Sequence, residues 1–443
     1  MPSLPISLPL RWADLRGTAV GVWGVGVEGR ATLSRLEQLG VEPAVVVDDR
    51  PPSDLGRPVL ETGPASLEQL GRCEVVIKSP GISRYRDDVT VLEEAGVAVV
   101  GGLGLWLETH GPEGVIGFTG TKGKSTTTSV AGHLASGLGI ACAVGGNIGL
   151  VPWDPAAPQG VDLWVIEVSS YQATDLWSSP AVVGVTSLHP DHILWHGTVE
   201  RYYDDKLSLC GRPGARITIA NGTDERLRSR AAQLAPGPVW VDDPDEAGGW
   251  AGSLGLRGRH NLLNAAIAAR CLVAAGVPGA GDGERLATAA AGYHPLPHRL
   301  ETVAVVGGVE YVDDSLSTNV LPAIAAAEVF EGRPLVLIAG GQERNIDYEP
   351  LGRYVVGRPA PTLVLTLPDN GPRITAAVTG CGGEAQDCAD LAEAVRRAAR
   401  WAPAGGVVLL SPAAASFGRF GSYKERGEAF RTLVASLGSA GGG

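Results

Sequence analysis

The segment that most restricts the fold is Val115-Ile116-Gly117-Phe118, followed by Thr119-Gly120-Thr121-Lys122-Gly123-Lys124-Ser125-Thr126 and a helical run to Gly137. An apolar strand, a glycine loop and a helix N-terminus make a phosphate cradle, in which backbone N–H groups face the anion and lysine neutralises it. Such a unit belongs to a parallel α/β sheet, with its loop at the carboxyl edge. The spacing departs from GxxxxGK[ST], because counting back from Gly123 puts Phe118 where the first glycine should stand. Lysine is scarce: of 36 basic residues only Lys78, Lys122, Lys124, Lys206 and Lys424 are lysine, so two in one loop are not compositional habit.

The same alternation runs along the whole chain. At 443 residues it is too long for a single core, which stops growing near ~250–300 residues. A first α/β segment has strands at Thr18 to Trp23, Pro43 to Val47 and Glu74 to Ile77, a weaker one at Val97 to Val100, and a helix over Arg30 to Leu39. The turn-rich stretch Thr109 to Gly114 separates it from a second, with the phosphate loop, strands Leu163 to Ile166 and Ala181 to Thr186, and helix Asn261 to Ala275. After Pro295-Leu296-Pro297 comes a third, with strands Tyr311-Val312, Pro334 to Ile338, Thr362 to Leu365 and Gly406 to Leu410, and helices Leu321 to Val329 and Leu391 to Ala402. The expected domains are 1–112, 113–297 and 298–443, with Gly438 to Gly443 unordered.

A net charge of −12 argues against nucleic-acid binding, although a few placed cations can still hold a small anion. Six scattered cysteines without a CxxC pair indicate neither zinc nor disulfides, and so a reducing compartment. With no signal-like N-terminus and no long apolar run, a cytoplasmic protein without a membrane partner is expected.

Glu167 follows the strand Leu163 to Ile166 at the sheet's ligand edge, where it could share a cation with the Ser125 hydroxyl. On position alone it could equally be a solvated carboxylate at a strand end. His192 beside Asp191 follows another buried strand, and Lys206 in Tyr203-Asp204-Asp205-Lys206 would by default be a helix-surface ion pair.

The variant loop resembles the ATP loop of the Mur ligases. Six further motifs resemble that family's in its order: Gly146-Asn147-Ile148-Gly149, Glu167-Val168-Ser169-Ser170-Tyr171-Gln172, Asp191-His192 with Lys206, His260-Asn261-Leu262-Leu263-Asn264, His298-Arg299-Leu300-Glu301 and Asp313-Asp314-Ser315. The resemblance spans nearly the whole chain. It implies a three-domain α/β fold: an N-terminal Rossmann-like domain for a uridine diphosphate substrate, a central P-loop ATPase-type domain and a C-terminal Rossmann-like domain for the amino acid. It also implies that Thr119 to Thr126, Asn264, Arg299 and Asp314 bind ATP, with Arg299 and Asp314 closing over from the third domain. Ser125, Glu167, His192 and a carbamylated Lys206 would hold two Mg²⁺, with Lys124, His192 and Lys206 catalytic. Carbamylation needs a neutral amine, hence a depressed pKa.

Gly24-x-Gly26-x-x-Gly29 with Asp48 also satisfies the dinucleotide fingerprint, which read alone suggests an NAD-dependent dehydrogenase. That reading leaves the ATP-type loop, Glu167, His192 and Lys206 without a task. In the family the same kind of domain holds a uridine diphosphate, here on Gly26, Val27, Glu28, Gly29, Asp48, Asp49, Arg50, Ser79 and Gly81, with Asn147 positioning the muramoyl group.

The implied reaction phosphorylates a substrate carboxylate, and an amine then displaces phosphate from the acyl phosphate. The stretch Leu410 to Phe417 with Tyr423-Lys424-Glu425-Arg426-Gly427 resembles the glutamate-adding branch. Leu316 stands where that branch carries lysine, Arg344 replaces another lysine, and Tyr423 replaces a phenylalanine. These departures, together with Lys78-Ser79-Pro80-Gly81-Ile82-Ser83 and Gly101-Gly102-Leu103-Gly104-Leu105-Trp106, resemble the variant that adds L-glutamate to UDP-N-acetylmuramoyl-L-alanine, with Thr318, Arg344, Ser416, Phe417 and Tyr423 at the glutamate; D-glutamate is the alternative. The resemblance further implies a monomer, functionally linked to an epimerase of the terminal glutamate. A folate-polyglutamate ligase shares the ATP machinery, but should lack the uridine domain.

Overall fold

Val20–Trp23, Val115–Thr119, Leu163–Glu167, Val182–Val185 and Leu335–Ala339 are buried at every position. Strands covered by helices on both faces read as continuous apolar runs of this kind. The computed structural model describes residues 8–234, 236–343, 346–416 and 418–439. Three sheets result. The first runs Leu60–Glu61, Val45–Asp48, Val20–Trp23, Val75–Lys78, Ala98–Gly101 in space, all parallel. The second, also parallel, runs Pro238–Val241, Ile217–Asn221, Val182–Val185, Val115–Thr119, Leu163–Glu167, Cys142–Gly146. The third runs Glu301–Val306, Val309–Asp313, Val407–Leu410, Leu335–Ala339, Thr362–Thr366, Glu384–Asp387 and is parallel except for its antiparallel first pair.

In the second sheet the strand order turns at Val115–Thr119, with Leu163–Glu167 on one side and Val182–Val185 on the other. The chain leaves all three strands at one edge, where open α/β sheets bind ligands. The phosphate loop, Glu167 and the Asp191-His192 turn therefore meet.

The first two sheets form one compact unit, residues up to Leu254 with Asn261–Tyr293; Gly255–His260 and the chain from His294 onward form a second. Within the first unit the helix Gly102–His110 explains its own glycines. A Cβ on Gly102 would lie 2.6 Å from the Trp153 ring, and one on Gly104 2.6 Å from the Asp175 carbonyl. Lys78 Nζ pairs with Asp175 Oδ2 at 2.5 Å, both side chains buried, and Arg84 reaches the other oxygen at 3.0 Å. Lys78→Met leaves the buried Asp175 carboxylate with Arg84 alone, so it is expected to cost less than the ~3–5 kcal/mol of a fully stranded charge, and Lys78→Met/Asp175→Leu to recover most of the loss, read as melting temperatures.

Several boundaries differ from expectation. The helix after the first glycine loop begins at Val27 and not at Arg30, since the glycine turn itself starts the helix. The last helix, Tyr423–Ser439, was not foreseen and takes in Gly438; Ala440 to Gly443 lie outside the described residues. Among the described residues no helix is long and apolar enough to cross a membrane.

Candidate active site

Gly120 sits at φ +135°, where a Cβ would come within 2.2 Å of Thr186 Oγ1, and Gly123 at φ +91°, where a Cβ would come within 2.6 Å of Asn264 Oδ1. The loop is thus pressed between the Thr186 strand end and the helix Arg259–Ala274, which brings Asn264 to the loop. Thr121 N–H donates to Ser187 O at 2.7 Å and Lys122 N–H to Ser187 Oγ at 2.9 Å. The Lys124 ammonium donates to Gly120 O at 2.9 Å and Thr121 O at 3.2 Å, while Lys122 Nζ meets Asp191 Oδ2 at 3.2 Å. Thr119, Ser125 and Thr126 are buried along the loop and the first helical turn.

Glu167 is 2% exposed. Its Oε1 accepts from Asn147 Nδ2 at 2.8 Å, but Oε2 is buried without a hydrogen-bond partner. A carboxylate oxygen removed from water and left unpaired is costly unless something cationic meets it. That orphaned oxygen fits a divalent cation; Asn147, expected at the muramoyl substrate, here holds Glu167.

Lys206 is not the surface ion pair that position alone suggested. It is 2% exposed, donates to Gly120 O at 2.9 Å, lies over the Tyr202 ring at 4.9 Å and forms no ion pair among the described residues. Burial, then the neighbouring Lys124 and Lys122 charges, push its ammonium well below the usual lysine range, against the pull of Asp191 and Glu167. Carbamylation requires an amine whose ionisation is depressed, and burial depresses that of Lys206.

His192 takes a left-handed turn at φ 52° and its Nδ1 lies 2.8 Å from Tyr171 Oη. Burial lowers its imidazole to about 4, with Asp191 opposing and the three lysines assisting. Burial would raise Asp191, yet Lys122 and His192 bring it to about 2. Among the described residues no three His, Cys, Asp or Glu side chains converge on one point. Mg²⁺ does not need such a cage, since it keeps waters and shares phosphate oxygens.

In the first sheet Asp48 is spent on the backbone: its carboxylate accepts from Val25 N–H and Arg50 N–H, each at 2.7 Å. Asp49 pairs with Arg86, and Ser79 Oγ donates to Gly24 O at 2.8 Å, which locks the glycine turn against the Ser79-Pro80-Gly81 turn. Gly26 and Val27 are exposed at the helix start. Glu28 accepts from Gln172 at 2.7 Å, and burial raises it to about 7.

In the second unit Asp314 accepts from Ser411 Oγ at 2.7 Å, and burial lifts it from 3.8 to about 7 despite Ser411 and Arg299. The folded protein therefore keeps this proton to higher pH than the unfolded chain. The stability from this group is present at low pH and is lost as pH rises from about 4 to about 7. Asp314→Asn is expected to gain ~2–3 kcal/mol more over wild type at pH 8 than at pH 5, checked by melts at the two values. Arg426, quoted in a motif but given no task from sequence, is 1% exposed and joins three segments, donating to Ser315 Oγ and O at 3.0 and 2.8 Å and to Ala414 O at 3.1 Å. Burial lowers its guanidinium to about 10. Ser315 Oγ also donates to Tyr423 O at 2.8 Å, and Ser416 is buried nearby in chain, while Thr318 precedes the helix Val320–Glu328. Arg344 and Phe417 lie outside the described residues.

A phosphate loop at the switch point of a parallel sheet, beside an orphaned carboxylate oxygen and a buried amine, defines a nucleotide-dependent enzyme. Residues 118–242 match the Mur ligase middle domain and residues 298–414 the Mur ligase glutamate ligase domain. The chain is 39% identical to a UDP-N-acetylmuramoyl-L-alanine--L-glutamate ligase of Micromonospora sp., covering 96% of this chain and 98% of that one. It is also 39% identical to the protein of that name from Salinispora tropica, over 96% and 99%. In fold it is similar to the MurF ligase of Thermotoga maritima solved in complex with ADP, at a TM-score of 0.55 and 16% identity, covering 98% of this chain and 97% of that one. The chain belongs to the Mur ligase family, the ATP-dependent ligases of peptidoglycan synthesis.

Proposed function

We propose that this chain joins L-glutamate to the alanyl carboxylate of UDP-N-acetylmuramoyl-L-alanine, with ATP spent through an acyl phosphate. The observation that carries the reading is the 39% identity, along nearly the full chain, to two proteins named for that reaction. The three departures at Leu316, Arg344 and Tyr423 support it. One removes an ammonium, one exchanges it for a bidentate guanidinium and one adds a phenol hydroxyl, all of which change how two carboxylates can be held.

Lys124 and the N–H groups of Gly120 to Thr126 would take the β- and γ-phosphates, and Asn264, Arg299 and Asp314 the rest of the nucleotide. Ser125, Glu167, His192 and carbamylated Lys206 would hold two Mg²⁺, which neutralise charge developing on the phosphoryl oxygens. Holding the carboxylate and the incoming amine in line then removes most of the entropic barrier. The first sheet's two glycine turns would carry the uridine diphosphate. Domains 1–112, 113–297 and 298–443 divide these tasks, in a cytoplasmic monomer whose product requires an epimerase of the terminal glutamate.

Purified enzyme with UDP-N-acetylmuramoyl-L-alanine, ATP and either enantiomer of glutamate tests this. Phosphate release at least tenfold faster with L-glutamate is expected; turnover with D-glutamate alone overturns the assignment.

A further inference from the structure

The turn that carries Glu167 and the helix that carries Lys206 are joined by a buried hydrogen-bond chain that nucleotide binding does not itself require. His196 is fully buried, with Nε2 2.9 Å from Ser170 Oγ and Nδ1 2.6 Å from Asp205 Oδ2. Ser170 begins the short helix just after Glu167, and Asp205 immediately precedes Lys206 in the helix Val199–Gly211. A carboxylate of this kind accepts, so Nδ1 carries the proton and donates it to Asp205. The other Asp205 oxygen accepts from Tyr85 Oη at 2.6 Å, which holds the carboxylate in place. The surroundings are equally committed: Tyr171 stacks on Trp195 at 4.4 Å, and Tyr202, 5.2 Å from the His196 ring, places its hydroxyl 2.9 Å from Thr121 Oγ1 in the phosphate loop.

The order serine, histidine, aspartate matches a hydrolytic relay, but Ser170 is 2% exposed, which closes its hydroxyl to a substrate. What the chain does is fix a distance. The Lys206 helix cannot slide along the Glu167 turn without breaking a bond to a buried polar atom.

We propose that His196, held between Ser170 and Asp205, is a positioning residue that sets the spacing of Glu167 and Lys206 at which divalent cations bind. This rests on reading Glu167 and Lys206 as cation ligands. Partners that orient metal ligands typically change affinity 10–100-fold when removed.

The full chain is titrated with Mn²⁺ in the presence of a non-hydrolysable ATP analogue, followed by electron paramagnetic resonance, alongside thermal melts and the Mg²⁺ dependence of kcat. His196→Ala and Asp205→Asn are expected to raise the half-saturating Mn²⁺ concentration at least tenfold and to shift the Mg²⁺ dependence of kcat in step. His196→Asn, which can keep a donor where Nδ1 stands but cannot reach Ser170, is expected to weaken Mn²⁺ binding as well. Variants that melt lower yet bind Mn²⁺ as wild type does would show a structural role only and overturn the proposal. Wild-type protein that binds no Mn²⁺ with nucleotide would instead overturn the cation reading, and the positioning role with it. Should His196→Ala not fold, Asp205→Asn and His196→Asn give the same decision.

Discussion

Lys206→Ala and Lys206→Arg are both expected to lower the rate of phosphate release by about 10²–10³-fold, the range seen when a fixed charge-stabilising group is removed. The equality of the two is the informative part. If the ammonium itself were the working group, arginine would retain its charge and part of the rate. The side chain instead sits 2% exposed, donating to Gly120 O, with Lys124 and Lys122 close enough to depress its ionisation further. A third ammonium among these cations is electrostatically the wrong form, whereas a carbamate at the same place adds an anion facing the same region as Glu167. Guanidinium cannot be carbamylated, so arginine should be no better than alanine. The second half of the prediction follows: acetate or propionate at high concentration should return measurable turnover to Lys206→Ala by placing a carboxylate in the vacated space, and should do nothing for Lys206→Arg, where that space is filled. The measurement is phosphate release with and without the acid. An active arginine variant, or an alanine variant deaf to carboxylates, would refute the carbamate.

How far this site could be read beforehand differs residue by residue. Strand, glycine loop and helix around Thr119 to Thr126 are local in sequence, so their chemistry and the sheet they belong to were legible. Glu167 was legible as a position at a strand end but not as an orphaned oxygen, because burial depends on Asn147, twenty residues away in chain and adjacent only once Cys142–Gly146 pairs with Leu163–Glu167. Lys206 was harder still. Its helix carries polar residues on one face, and a lysine among aspartates reads as solvated; that it points inward is set by the phosphate loop 86 residues earlier. Lys78 stands out by its rarity and in a resembling segment, but not as half of an ion pair, and its partner Asp175 draws no attention, since a buried pair between two sheets leaves no local pattern. The bridging roles of Arg426 and His196 were illegible for the same reason. Each joins segments whose proximity is a product of the tertiary fold, and neither stands in a periodicity that would announce it. The glycines of Gly101-Gly102-Leu103-Gly104 were quoted as a family resemblance, while the structure gives them a packing cause in Trp153 and Asp175.

Glu167→Gln is expected to abolish turnover to about 10⁻³ of wild type while leaving the melting temperature unchanged or raising it. These two outcomes have one origin. In the folded protein without a bound cation, the Glu167 carboxylate is buried with Oε1 tied to Asn147 and Oε2 unpaired, an arrangement that costs folding free energy. The amide keeps the oxygen for Asn147 and removes the net charge, so the folded state loses nothing it needs. On the proposed reading, function loses the cation ligand that would act beside Ser125. Stability measured with nucleotide should then invert the order: the nucleotide and its divalent cation bind the native state and stabilise it by mass action, an increment available to wild type and largely lost to the variant. Melting curves with and without the ATP analogue and Mg²⁺, set beside phosphate release, check all three statements. If Glu167→Gln instead melts several degrees lower without any ligand, Glu167 is a structural anchor of the strand end. In that case the unpaired oxygen is satisfied by something other than a cation.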